Sequence, residues 1–269
     1  MARSHSGQRR ARSGEKRPEE AALLNASGKL LASPNSALPL LRKAEITSYQ
    51  VVPAGTNYTF VVLMVADGQE PFLGIYKPQK GENPLWDYPD GTLYHREHAS
   101  YVTSTVLGWP NIPPTVVRDG PFGQGMVQLF VPGQGDQDFF GFRRRRSRDL
   151  MEVALFDLLV NNGDRKAGHL ILGTDGRIWA IDHGLTFNSW TRLRTVLWDF
   201  QGEPIPEKLL ADLRSLREDP IRRQGVSRLL GAELEPEDVD GFFARVDDVL
   251  HVGRYPPLDS NRNLPWPLV

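Results

Sequence analysis

Two carboxylates define the chemistry this chain could attempt. Asp164 and Asp182 both fall in the stretch 157–187, DLLVNNGDRKAGHLILGTDGRIWAIDHGLTF, each in a short polar break between apolar runs. A helical pattern precedes the first, and a β-hairpin pattern separates the two. Carboxylates brought together in this way suit metal-assisted phosphoryl transfer. One positions and deprotonates a hydroxyl, while the other holds a divalent cation on nucleotide phosphates.

Further parts of such a site stand upstream in a consistent order. Lys77 closes an expected strand and Glu97 lies on the helix that follows. A strand lysine and a helix glutamate can pair across a cleft and hold ATP phosphates. The turn Gly55-Thr56-Asn57 could offer backbone N–H groups to phosphate. Each feature has a plainer reading. A lysine at a strand end is usually solvated, the glycine turn is a weak motif, and Asn161-Asn162-Gly163-Asp164 would also serve as a helix C-terminal turn. Asp182, in Ile181-Asp182-His183-Gly184, resembles the metal-binding Asp-Phe-Gly pattern with histidine in the middle, or is another turn aspartate. It is the order of turn, lysine, glutamate and two aspartates that favours the functional reading.

The elements that must position these residues follow from hydrophobic period and turn chemistry. Strands are expected over 46–52, 58–66 and 71–76, with Asp67-Gly68 as a hairpin turn. A helix is expected over 93–107 with Ala99, Val102, Val106 and Leu107 on one face. Two further strands, 115–117 and 125–131, are expected to join at Asp119-Gly120. A buried helix over 149–161 precedes hairpin strands at 170–172 and 178–181. Amphipathic helices close the pattern over 206–217, 220–230 and 235–252. Folding is expected to begin near Ile46, with a short helix and loops over 21–39. Sheet plus one helix, then mostly helices, is an α+β order with segregated lobes and not an alternating one. The expected division is a basic tail at 1–20, an N-lobe at 21–133, a helical C-lobe at 134–255 and an extended tail at 256–269.

Composition narrows the classes. With 40% apolar and 24% charged residues, the 269-residue chain is ordinary for a globular protein. A net charge of −1 gives no general reason to expect nucleic acid. No apolar run approaches the roughly 18 residues of a membrane span. With no cysteine, disulfides and thiolate metal sites are excluded, which fits a cytoplasmic protein. The first 20 residues lack the apolar core of a secretory signal.

These motifs resemble the phosphatidylinositol 3-/4-kinase-related branch of the protein-kinase-like fold, and most of all the type II phosphatidylinositol 4-kinases. The resemblance rests on Ile75-Tyr76-Lys77-Pro78, on Arg96-Glu97-His98-Ala99-Ser100-Tyr101, on Val127-Gln128-Leu129-Phe130-Val131, and on the stretches 157–165 and 181–187. The chain is still more similar to an uncharacterised bacterial family in that branch, through the segment 77–93 and Leu-Arg-Thr-Val-Leu-Trp at 193–198. The match spans roughly 20–255.

The resemblance implies a two-lobed fold and a division of roles. Lys77 would contact the ATP α- and β-phosphates and pair with Glu97. Gln128, Leu129, Phe130 and Val131 would form a hinge whose backbone binds adenine. Asp164 would position or deprotonate the acceptor hydroxyl, with Arg165 supporting its loop and Asp157 orienting it. Asp182 would ligate Mg²⁺. One position departs from the branch: where its lipid kinases carry a metal-binding asparagine, five residues after the catalytic aspartate, this chain has His169. Imidazole suits softer cations than Mg²⁺. Either His169 admits Mn²⁺, or Asn162 or a water takes its place, or metal binding is weakened.

The expected activity is therefore an ATP- and Mg²⁺- or Mn²⁺-dependent kinase acting on a protein or small-molecule hydroxyl. Alternatives are a nucleotide-binding pseudokinase and an AMP transferase on the same fold. A phosphoinositide acceptor is less favoured, because only Arg192 and Arg194 are basic in 188–200. The run Arg143–Arg146 with Arg148 is either a solvated loop or a site for an acidic partner.

Overall fold

A computed structural model describes residues 34–53, 55–135 and 138–268; the basic tail expected at 1–20 lies outside them. The first described element is helix α1 (Pro34–Lys43), followed by strands β1 (Glu45–Val51), β2 (Phe60–Val65) and β3 (Phe72–Pro78). Helix α2 (Leu93–Leu107) precedes strands β4 (Thr115–Gly120) and β5 (Gly123–Leu129). The five strands form one antiparallel sheet in the order β1-β2-β3-β5-β4. On β2, Phe60, Val62 and Met64 alternate inward, as a half-buried strand requires.

Two expectations are corrected in this lobe. Folding does not begin near Ile46: Ala37 and Leu41 of α1 are fully buried in one cluster with Phe60, Val62, Met64 and Tyr76. The short helix expected within 21–39 is found further along, at Pro34–Lys43, with Pro39 inside it. Nor do β4 and β5 join at Asp119-Gly120. Both residues sit in the ladder, Gly120 facing Gly123, and the turn is Pro121-Phe122. Gly123 takes the positive φ (98°) that ends this turn. Lys77 stands near the end of β3, as expected, paired with Met126 of β5. This close pairing depends on Gly125, since a Cβ there would stand 2.3 Å from the Lys77 carbonyl oxygen.

Helix α2 lies between the lobes. Its first N–H groups are capped from a distance: Glu82 accepts from Leu93 N (3.0 Å) and Tyr94 N (2.8 Å). Gly108, with φ 82°, ends it. The apolar face expected on it is only half right. Ala99 and Leu107 are buried, but Val102 and Val106 are only partly so, and Arg96, Glu97, Ser100, Thr103 and Ser104 are buried instead. A helix covered on more than one side cannot display a simple stripe.

The second lobe begins with a short helix α3 (Phe139–Phe142) and the buried helix α4 (Ser147–Leu159). The hairpin β6 (Leu170–Leu172) and β7 (Ile178–Ala180) follows, then helices α5 (Glu207–Glu218), α6 (Pro220–Leu230) and α7 (Pro236–Val252). Their inward faces, including Phe156, Phe187, Leu213, Leu230, Phe242 and Val246, share one core. The two-lobed α+β architecture is the expected one. No helix among the described residues is long and apolar enough to cross a membrane. Residues 256–268 carry no helix or strand, yet they do not trail away. Asn263 O accepts from Thr195 N (2.8 Å), and Leu268 O accepts from Ala167 N (2.9 Å).

Candidate active site

Between the lobes lies a cavity of about 520 Å³. Lys77 reaches into it from β3, on the strand face opposite the buried Tyr76. Its ammonium bonds Glu97 on α2 and, at 2.8 Å, Oδ1 of Asp182. Glu97 is buried, and its second oxygen accepts from His183 N (2.9 Å). One lysine and one glutamate thus tie together the sheet, the inter-lobe helix and the segment after β7. Desolvation in the cleft opposes the charge on Lys77, but Asp182 and Glu97 outweigh it and hold its pKa above the ordinary lysine value. Desolvation likewise opposes the charge on Asp182, and there Lys77 and then His169 win, holding the carboxyl far below the usual range.

Asp164 enters the same cavity from the loop after α4. Desolvation raises its pKa, only partly offset by Lys166, whose Nζ lies 2.9 Å from Oδ2. The loop is held from beneath by buried charge. Arg165 is 0% exposed and donates to both oxygens of Asp157 (2.8 and 2.9 Å), itself 0% exposed. The same guanidinium donates to Ile181 O (2.7 Å) and to His183 Nε2 (2.7 Å). Burial, then the neighbouring Arg165, lowers the His183 pKa well below its ordinary value, so the ring accepts as neutral imidazole. Arg165 therefore supports the Asp164 and Asp182 loops from the core and does not face the cavity.

Asn162 does not face it either. Its Nδ2 donates to Asp157 Oδ1 (2.9 Å) and its Oδ1 accepts from Asp164 N (2.9 Å), so both ends of the amide are spent on the loop. That leaves His169 as the side chain beside Asp182. His169 Nε2 stands 3.2 Å from Asp182 Oδ2, while Nδ1 accepts from Lys166 N at 3.4 Å. Burial lowers the His169 pKa to about 4, against the pull of Asp182. With Nδ1 accepting, the neutral ring carries its proton on Nε2 and presents it to Asp182.

Backbone strain concentrates in the same place. Among the described residues only Asn161 (φ 49°), Asp182 (φ 59°) and Phe187 (φ 64°) are non-glycine residues with positive φ, and all three lie on the two polar loops. Asn and Asp tolerate this region, whereas Phe187 is held there by full burial.

The turn residues Gly55, Thr56 and Asn57 line the roof of the cavity. The hinge residues do not line it: Gln128, Leu129, Phe130 and Val131 all lie outside. Leu129 N and Phe130 N already donate to Pro114 O (2.8 Å) and Leu73 O (3.1 Å), and the Gln128 side chain is buried against Thr115 Oγ1 (2.9 Å). Conversely, the cavity is lined by residues not anticipated from sequence. Lys166 is two positions beyond Asp164, a spacing that could have drawn notice. Trp266 and Pro267 arrive from the far C-terminus and carry no local signal.

Residues 36–231 match the family described as "Phosphatidylinositol 3- and 4-kinase". Protein Rv2133c of Mycobacterium tuberculosis is 33% identical over 266 residues, covering 85% of this chain and 94% of that protein. Phosphatidylinositol 4-kinase gamma 4 of Oryza sativa is 29% identical over 147 residues, which is 46% of this chain but only 26% of that enzyme. Among solved structures, the Golgi casein kinase with Mn/ADP bound has a TM-score of 0.53 at 15% identity, covering 81% of this chain and 74% of its own. Hydra Fam20 with sugar has 0.54 at 14% identity, covering 82% and 90%. At these identities the structural likenesses speak for the fold alone. With most of the chain matched by one family and a relative matched along nearly its whole length, this protein belongs to the phosphatidylinositol 3- and 4-kinase family, on a protein-kinase-like fold.

Proposed function

We propose that the protein is an ATP- and divalent-metal-dependent phosphotransferase acting on a hydroxyl group of a small molecule or protein. The observation that carries this reading is Lys77 held between Glu97 and Asp182 in a cavity that also contains Asp164. In this assignment Lys77 binds nucleotide phosphate and Glu97 fixes its direction. Asp164 orients the acceptor hydroxyl and takes its proton. Gly55, Thr56 and Asn57 cover the phosphates from above.

The donor set fits a cation shared with nucleotide. Among the described residues no three His, Cys, Asp or Glu side chains converge on a metal position. Asp182 and His169 would supply the protein's ligands, leaving the rest to phosphate oxygens and water, as is usual for phosphate-bridging cations. A bound cation supplies Lewis-acid stabilisation of charge on the transferring phosphoryl group. For His169 to ligate, its proton must leave Nε2 for Nδ1. A nitrogen ligand favours Mn²⁺ over Mg²⁺, and the Mn/ADP complex of the Golgi casein kinase supports that choice. The cytoplasm, as a source of ATP, is the compartment we assign.

One observation favours a second reading, nucleotide binding without transfer: His169 is placed to donate to Asp182 and not to a metal. The two separate on incubation with ATP labelled at the γ- or the α-phosphate, with Mg²⁺ or Mn²⁺. The expected result is γ-label transfer or release, faster with Mn²⁺. Retention of all label in ATP would support the binding protein, and α-label on the acceptor would show AMP transfer.

A further inference from the structure

Glu97 holds Lys77, and the bonds that hold Glu97 in place start from its own helix. His95, Arg96 and His98, which flank Glu97 on α2, are all bonded to the second lobe. His95 Nδ1 donates to Oε2 of Glu233 (2.5 Å), and His98 Nδ1 donates to Oε1 of the same carboxylate (2.7 Å). Arg96 donates to Asp238 Oδ2 and to Thr186 O, both at 2.7 Å, and Arg96 and Asp238 are buried. Glu233 stands in the turn between α6 and α7, and Asp238 in the first turn of α7. The ties of α2 to the sheet include the Tyr94 hydroxyl, on Gln124 Oε1 of β5 (3.1 Å), and Glu97 itself, on Lys77.

A charged carboxylate only accepts, so both imidazoles carry a proton on Nδ1. Desolvation opposes the charge on Glu233, but the bonds from His95 and His98 overcome it and lower its pKa to about 2. The charged carboxylate is therefore in place at neutral pH. Two anchors fix what one cannot. Residues three apart are neighbours on a helix surface, and these two are separated by about 4.5 Å along the axis. One carboxylate bridging both sets the rotation of α2 as well as its slide. At about 100° per residue, Glu97 leaves the helix on the side away from the histidine pair, so any rotation of α2 swings its carboxylate past Lys77. His95, His98 and Glu233 all lie outside the cavity wall.

We infer that Glu233 is a positioning residue for nucleotide binding: through His95 and His98 it sets the rotation of α2 that aims Glu97 at Lys77. This rests on the phosphotransferase reading above and places a control point of that site outside the cleft, at the turn between α6 and α7.

The test titrates MnADP calorimetrically into the full chain and its variants, with urea unfolding run on each to show that it is folded. Glu233→Ala weakens MnADP binding about tenfold. Glu233→Gln restores most of the loss, because the amide oxygen accepts from one imidazole and the amide N–H donates to the bare Nδ1 of the other. The same substitution is then made in Glu97→Gln, where Lys77 has lost its charged guide. There Glu233→Ala changes the remaining affinity by less than about twofold, since its effect runs through Glu97. His98→Ala keeps one arm of the clamp; it stands in if Glu233→Ala does not fold, with a loss of about threefold and the same dependence on Glu97. Unchanged MnADP affinity in the folded variants overturns the inference. So does an equal loss in both backgrounds, which is what a general loosening of the fold produces. A wild-type chain that binds no MnADP refutes the phosphotransferase reading itself, whereas one that binds it with no response to Glu233 refutes the positioning role alone.

Discussion

Asp164→Asn lowers phosphoryl transfer by about 10³-fold while leaving nucleotide affinity nearly unchanged. The amide preserves shape but cannot accept the proton of an attacking hydroxyl. The loop is held by Asn162, Arg165 and Asp157 and not by the Asp164 carboxylate, so the substitution leaves the scaffold intact. A pH profile sharpens the expectation. Desolvation raises the Asp164 pKa above the ordinary carboxylate value, with Lys166 offsetting part of it. The basic form is the active one, so the rate climbs as pH rises through that raised pKa and then levels. The variant should lack this limb. A variant that retains transfer with the same profile would assign the base elsewhere.

Arg165→Met destabilises the fold by about 3–5 kcal/mol, the usual cost of stranding one partner of a buried ion pair. Asp157 would be left charged and fully buried, and Ile181 O and His183 Nε2 would lose a donor. Equilibrium urea unfolding measures the loss. Asp157→Asn in the same background should return part of it, because the stranded charge is then gone. A loss below about 1 kcal/mol, typical of an exposed pair, would show that this guanidinium does not tie the loops together.

The difference between these two residues shows what the sequence could convey. Asp164 and Asp182 each read equally well as turn residues, and they stood out only because Lys77 and Glu97 precede them in order. The adjacent Arg165 gave no sign of being fully buried, since an arginine in a polar loop reads as solvated. Asn162 was open to two readings, and only its two bonded ends decide between them. The hinge at 128–131 was named by resemblance; apolar spacing there reports only that the strand is buried, not where its N–H groups point. The sheet was visible from period-two alternation and α2 from its helical spacing over the residues it occupies, while the polar residues on the buried side of α2 concealed which face it packs and Pro39 concealed how far α1 extends. Trp266 was beyond reach. The return of the C-terminus to Ala167 spans about a hundred residues and leaves no periodic trace.

The account turns on Asp182 joining nucleotide to metal beside Lys77, and one titration tests it most directly. ADP is titrated calorimetrically into the wild-type protein and into Asp182→Asn, with Mn²⁺ present and absent. Mn²⁺ should tighten ADP binding to the wild type by about tenfold or more, near 1.4 kcal/mol, and should do nothing for the variant. Absence of ADP binding, or the same metal response in both proteins, would contradict it.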